Sequence, residues 1–396
     1  MRKNLSIVFL RSCGLWGALA LSQFAVAQEP AAKPADPSAE ASQNEPAAKT
    51  GEKPTQQKPA EEKSAEQTKS EEKPAEENAA ADPSAPAIAP PTDDDNYNLL
   101  GEFVGEIKTA DGSQPLGLQV RPMGNDRFEA RQYTGGLPGQ EKFANQSQPL
   151  VGQRSGDFLI LSGGPWAIFV DKEKCLVIDR EGKRLGELKR IERSSPTLGA
   201  KPPEGATVLF DGQGTDQFSV GEMTDDGLLL PGADVKPMFQ DFNMHVEFRL
   251  PYMPTAEGQA RGNSGCYLQS RYEVQVLDSF SEAVTFNGCS SLYRQKAPDL
   301  NMCLPPLVWQ TYDIAFTAPR WASDGSKIRN ARITVWQNGV KTQDDAEIVA
   351  KTGAGKPEEP TLLPIKFQNH KDPVRFRNIW IIDRGLSPAA EFPPSN

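Results

Sequence analysis

The chain has 396 residues, room for two domains and more, with a formal net charge of -10 at pH 7 and only two histidines. That balance excludes nucleic acid as a partner, because phosphate binding needs a basic surface. Carbohydrate or protein partners fit it better.

At the N-terminus, Arg2 and Lys3 precede an apolar run to Leu10, a second run spans 14–21, and Ala25-Val26-Ala27 is a small-residue cleavage pattern. Residues 1–27 therefore read as a secretory signal peptide cut after Ala27, which predicts an exported protein, periplasmic or extracellular, with no membrane span after cleavage. Arg11 interrupts the apolar stretch and leaves an uncleaved anchor as the alternative. It also argues against lipid attachment at Cys13. Residues 28–95 are almost entirely Ala, Pro, Glu, Lys, Ser and Gln. Such a segment buries too little apolar surface to offset its chain entropy and is expected to be a disordered linker.

Residues 96–194 carry short apolar or alternating runs (FVGEIKTA, LGLQV, FLILS, WAIFV, CLVIDR) separated by Gly-containing turns, the pattern of a small, separate all-β domain. It has no histidine and no clustered acid-base residues, so its role is not legible. The Pro-rich stretch SSPTLGAKPPEGA closes it.

Residues 205–390 are again strand-rich. FNMHVEFRLP alternates Phe242, Met244, Val246 and Phe248 with Asn243, His245, Glu247 and Arg249, and ARITVWQNGV ends on the hairpin signal Asn338-Gly339. GNSGCYLQSRYEVQVLDSF sets Arg271, Glu273 and Gln275 on one strand face against Tyr272, Val274 and Val276 on the other. Ser264 in this stretch alternates away from Asn263, and nothing else matches a serine-protease pattern. With no helix-period segment of useful length, the expected architecture is a two-sheet sandwich whose outer polar face forms a ligand-sized surface.

Cys175, Cys266, Cys289 and Cys303 remain after the leader. Export would permit a disulfide, and Cys289–Cys303 is the expected pair, with buried free thiols as the alternative. No Cys-x-x-Cys or His-rich metal pattern is present, so no cofactor is expected, and a divalent cation is left open.

Taken together, LFDG at 209–212, DFNMHVEFRLP, GNSGCYLQSRYEVQVLDSF, LYRQKAPDLNMCLPPLVWQTYDI, RITVWQNGV and LPIKFQNHKDPVRFRNIWI resemble, in order, the 3-keto-disaccharide hydrolase family, a concanavalin-like jelly-roll domain. The exported form with a linker and an added β domain is similar to planctomycete-type members. Phe218 stands where the family often has Trp, and it inherits no binding role. The resemblance implies a substrate already oxidised at C3, whose ketone acidifies the C2 proton and so allows elimination of the C1 substituent followed by hydration. Glu273 or His370 would be the base. Arg271, Lys366 or Gln275 would stabilise the enolate oxygen. Asn263, Gln269, Tyr293, Gln368 and, through a bulge, Asp278 would hold hydroxyls. The residues leave open a structural Arg271–Glu273 ion pair, a merely structural His370 or His245, and a turn-capping Asp278. A non-catalytic carbohydrate-binding module and a cell-surface interaction protein are the alternative functions.

Overall fold

The computed structural model describes residues 86–386 and Phe392. The expected signal peptide, Cys13 and residues 28–85 of the expected linker lie outside the described residues. The last part of that segment is docked on the fold: Ala87 pairs with Tyr252 through backbone hydrogen bonds of 3.0 and 2.9 Å, and Asp94 accepts from the Tyr252 hydroxyl at 2.8 Å. Among the described residues no helix is long and apolar enough to cross a membrane.

The first eight strands are β1 (Gly101–Thr109), β2 (Gly112–Pro122), β3 (Arg127–Thr134), β4 (Ser147–Ser155), β5 (Phe158–Ser162), β6 (Ala167–Val170), β7 (Lys174–Ile178) and β8 (Arg184–Ile191). Each pairs antiparallel with the next, and β1 pairs with β8 to close a barrel. Closure removes exposed edges. Alternation along the strands sends Phe103, Ile107, Leu118, Val120, Leu161 and Val170 inward, where they fill the barrel. The interior is a packed core.

The sandwich contains β9 (Thr207–Phe210), β10 (Phe218–Val220), β11 (Asp234–Val235), β12 (Asp241–Arg249), β13 (Ser264–Leu268), β14 (Tyr272–Val276), β15 (Trp309–Thr317), β16 (Arg320–Trp321), β17 (Lys327–Arg329), β18 (Ala331–Gln337), β19 (Val340–Ile348), β20 (Lys366–Phe367) and β21 (Arg375–Gly385). The larger sheet has the order β19-β18-β15-β12-β21-β9 and the smaller β10-β11-β20-β13-β14, while β16 and β17 form a separate ribbon. Phe242, Met244, Val246 and Phe248 of β12 face the core with Tyr312, Ile314 and Phe316 of β15, and Cys266, Leu268, Val274, Val276 and Phe367 close it from the smaller sheet. Phe218 belongs to this core, 6.3 Å from the Phe210 ring. Asn338 and Gly339 both take positive φ (52° and 77°) in the β18–β19 hairpin, as the Asn-Gly pair predicts.

The outer face of the larger sheet is covered by the connector from the barrel. His245 is fully buried, 2.7 Å from Asp313 and stacked on Trp380, while Thr197 donates to the second oxygen of Asp313 at 2.6 Å. Glu247 accepts from Arg377 (2.7 Å), Asn378 (2.9 Å) and the Gly199 N–H (2.5 Å). His245 is thus a structural pin of the connector. Burial would lower its pKa, but the hydrogen bonds to Asp313 and Glu247 outweigh this and raise it. The barrel also grips the turn after β14: Arg121 bonds Glu282 at 2.6 Å and the Phe280 carbonyl at 3.3 Å.

The expected Cys289–Cys303 bridge is not formed, and all four described cysteines are free and buried. The Cys289 and Cys303 thiols are hydrogen-bonded to each other as free thiols, and each has further partners: Cys289 Sγ lies 3.0 Å from the Tyr312 hydroxyl and 3.3 Å from Gln337 Nε2, and Cys303 donates to the Leu304 carbonyl at 3.5 Å. They behave as small core residues.

Candidate active site

Alternation on β14 turns Tyr272, Val274 and Val276 into the core and leaves Glu273 and Gln275 on the opposite, outer face of the smaller sheet. Opposite them in register stand Tyr267 and Gly265 of β13. A cleft of about 430 Å³ opens over this face, lined by Gln259, Asn263, Tyr267, Glu273, Gln275, Tyr293, Arg294, Gly353, Ala354, Gln368 and His370. Its size suits a sugar and it offers many polar groups.

Glu273 is 3% exposed. The Tyr267 hydroxyl donates to its Oε2 at 2.7 Å, and Gln275, with its amide turned to donate, reaches its Oε1 at 3.1 Å and the Ser264 carbonyl at 2.8 Å. Two glycines make the room: a Cβ at Gly265 would come within 2.5 Å of Oε1, and one at Gly353, where φ is +45°, within 2.6 Å of Oε2. No cation touches the carboxylate. Burial raises its pKa to about 7, against the lowering effect of the Tyr267 hydrogen bond. Burial is also the main cause of the raised Tyr267 pKa, with the neighbouring Glu273 charge adding to it. Among the residues lining the cleft, Glu273 alone carries a carboxyl group.

The rest of the cleft presents amides and aromatic edges. Asn263 is held by its Nδ2 on the Gln259 carbonyl at 2.7 Å and by its backbone N–H on Asp372 at 2.6 Å. Its Oδ1 is buried without a partner, and so is Oε1 of Gln368. A buried acceptor without a donor is uncommon in a native structure. The chain after β14 runs back along that strand, with Ser290 N–H on the Gln275 carbonyl at 2.9 Å and Tyr293 N–H on the Glu273 carbonyl at 3.4 Å. This brings in Tyr293, and the Arg294 guanidinium lies 5.5 Å from the centre of its ring.

Of the residues expected from the sequence, the cleft brings together Glu273, Gln275, Asn263, Tyr293, Gln368 and the exposed His370. Four others lie elsewhere. Arg271 precedes β14, after Gln269 and Ser270 with φ of 47° and 53°, so it does not share the Glu273 face. Its buried guanidinium donates to the carbonyls of Pro357 (2.8 Å) and Thr361 (3.0 Å), and it forms no ion pair with Glu273. Gln269 donates to the Phe239 carbonyl at 2.9 Å, and Asp278 is paired with Arg261 at 2.6 Å, both fully buried. Lys366 shares the sheet face, opposite Tyr267, but its ammonium lies 3.4 Å from Asp234. Sequence reasoning passed over Tyr267, Gln259, Arg294 and Gly353. Tyr267 was open to detection, since it sits two residues from Gly265 on the same alternating face. Among the described residues no group of three or more His, Cys, Asp or Glu side chains is arranged to hold a metal ion.

An all-β jelly-roll sandwich with a polar, sugar-sized cleft on its smaller sheet defines the class. The chain belongs to the 3-keto-alpha-glucoside-1,2-lyase-like domain family, which residues 205–382 match, and it is a carbohydrate-active protein. Among solved structures it is similar to a protein of Parabacteroides distasonis described as a candidate glycosyl hydrolase, at 36% identity over 45% of this chain and 84% of that one, with a TM-score of 0.42. A second such protein from the same organism is 17% identical over 46% of this chain and 94% of that one, with a TM-score of 0.33. No curated protein matches the chain.

Proposed function

We propose that the sandwich domain cleaves the glycosidic bond of 3-keto-glycosides, with Glu273 as the base that removes the C2 proton. The C2–H electron pair forms the enolate with the C3 carbonyl, the enolate expels the C1 oxygen, and that oxygen leaves with a proton as an alcohol. Water then adds across the C1–C2 double bond to give the free 3-keto sugar. Arg294, among the residues lining the cleft, would stabilise the enolate oxygen, and Tyr267 or His370 would give the leaving oxygen its proton. Asn263 and Gln368 accept from hydroxyls.

The observation that carries this reading is a single buried carboxyl group poised near pH 7 in a sugar-sized cleft with no second carboxyl. Ordinary glycoside hydrolysis through an oxocarbenium ion uses a pair. Abstraction of a proton beside a ketone needs one tuned base. We place this activity outside the cytoplasm, on the strength of the N-terminal leader pattern.

The test is incubation of the purified chain with a 3-keto-glucoside and with its unoxidised counterpart, the products being followed by NMR. Consumption of the ketone alone is expected. Cleavage of both substrates would point to a conventional glycosidase, and binding of both without turnover to a carbohydrate-binding module.

A further inference from the structure

Arg271 is one of the largest fully buried side chains of the protein, yet it neither lines the cleft nor pairs with a carboxylate. Its Nε and Nη1 hold the carbonyls of Pro357 and Thr361, and Nη2 reaches the Thr361 hydroxyl at 3.2 Å. Its own carbonyl accepts from the Thr352 N–H at 2.9 Å and from the Thr352 hydroxyl at 3.3 Å, and the same hydroxyl accepts the Glu273 N–H at 2.5 Å. The neighbouring residues tie the same stretch: Ser270 bonds Lys356 N–H (2.9 Å) and the Pro364 carbonyl (2.7 Å), and Tyr272 donates to Glu358 at 2.6 Å. Residues 352–364 are therefore bound at both ends to the turn that leads into β14. Between those ties sits Gly353, where a Cβ would meet the Glu273 carboxylate at 2.6 Å, the Tyr293 ring at 3.0 Å and the Tyr267 hydroxyl at 3.1 Å.

We propose that Arg271 is a positioning residue: it clamps residues 352–364 across the sheet so that Gly353 and Ala354 form the wall that keeps water from the Glu273 carboxylate. This deepens the proposed function, and rests on it only for the role of Glu273 as base. The polar and titratable groups that share the cleft with that carboxylate are Tyr267 from β13, Gln275 from β14, Tyr293 and Arg294 from the chain after β14, and His370 from the chain after β20, while Cys266, on the opposite face of the sheet, feels its charge. The clamped segment adds Lys356 and Glu358, the latter paired with Lys327, and the ammonium of Lys351, just before the segment, is held on the Gly353 carbonyl at 2.7 Å. With no cation against the carboxylate, its affinity for a proton is governed by the wall.

The experiment is a carbon-13 NMR titration of the Glu273 carboxyl, assigned with Glu273→Gln, in the wild-type, Arg271→Lys and Tyr272→Phe chains. Arg271→Lys keeps the charge and loses the fork that binds two carbonyls at once. Tyr272→Phe loosens the Glu358 tie and leaves Arg271 in place. Both midpoints are expected to fall from about 7 towards the ordinary 4.5, by about one unit or more for Arg271→Lys, and the pH profile of kcat/KM to shift with them. Native circular dichroism with the midpoint still near 7 in both variants would overturn the clamp. If Arg271→Lys does not fold, Tyr272→Phe alone decides. Because the titration uses no substrate, a wild-type chain inert towards 3-keto-glucosides would refute the functional reading without touching this one.

Discussion

Two glutamates sit on the two outer faces of the same sandwich, and their surroundings drive them in opposite directions. Glu247 on β12 is 1% exposed and Glu273 on β14 is 3% exposed, so burial costs both carboxylates dearly. At Glu247 that cost is outweighed by hydrogen bonds with His245, Asn378, Arg377 and the Gly199 N–H, which bring its pKa down to about 2. At Glu273 the donors are a phenol and an amide, the space comes from two glycines, and burial prevails at about 7. A buried carboxylate given charged partners is architecture. One given room and weak donors is ready for proton transfer.

A loss of stability tests the architectural side. Glu247→Ala leaves the half-exposed Arg377 without its carboxylate and His245 with Asp313 alone, and should cost about 1–3 kcal/mol in denaturant unfolding, with kcat/KM of the folded fraction unchanged. An equal loss of activity in the folded fraction would erase the contrast between the two faces. Glu273→Gln should do the reverse, lowering turnover about a hundredfold or more while raising stability at alkaline pH. The sign follows from proton binding. Folded Glu273 retains its proton up to about pH 7, whereas the unfolded side chain releases it near 4.5, so this stability is present below 4.5 and lost as pH rises through 7. The gain of Glu273→Gln over wild type at pH 8 should reach about 3 kcal/mol and vanish near pH 4. Parallel stability curves for the two chains would contradict it.

How far the sequence reveals this contrast depends on the range of the interactions. Alternation in RYEVQV is local, and it puts Glu273 and Gln275 on the outer face correctly. Asn-Gly at 338–339 is equally local. Arg271 was misplaced because the turn made by Gln269 and Ser270, neither a glycine, ends the strand before it. Gly353 reaches Glu273 from far along the chain, and the connector residues that bury His245 come from before the sandwich begins. Neither leaves a periodic signal. The thiols of Cys289 and Cys303 do meet, but Cys289 also takes Tyr312 and Gln337 from distant strands and Cys303 the Leu277 carbonyl, which spacing could not show.

Two smaller effects sharpen the comparison. Gly265→Ala pushes a methyl against Glu273 Oε1 and should cost about 1–3 kcal/mol of stability together with a marked loss of kcat, measured by thermal unfolding and steady-state kinetics. An unchanged kcat would show that the carboxylate position is not critical. Tyr267→Phe removes a hydrogen bond that lowers the Glu273 pKa, so the midpoint of kcat/KM should move upward from about 7. A downward shift would mean that Tyr267 acts in some other way.

The most direct measurement is the fate of the C2 hydrogen. A 3-keto-glucoside carrying deuterium at C2 should show a primary isotope effect on kcat/KM in the wild-type chain, with kcat/KM rising as pH passes through about 7. Glu273→Gln should lose both the turnover and the exchange of that hydrogen with solvent. Full turnover by Glu273→Gln, or exchange that persists in it, would show that Glu273 is not the base.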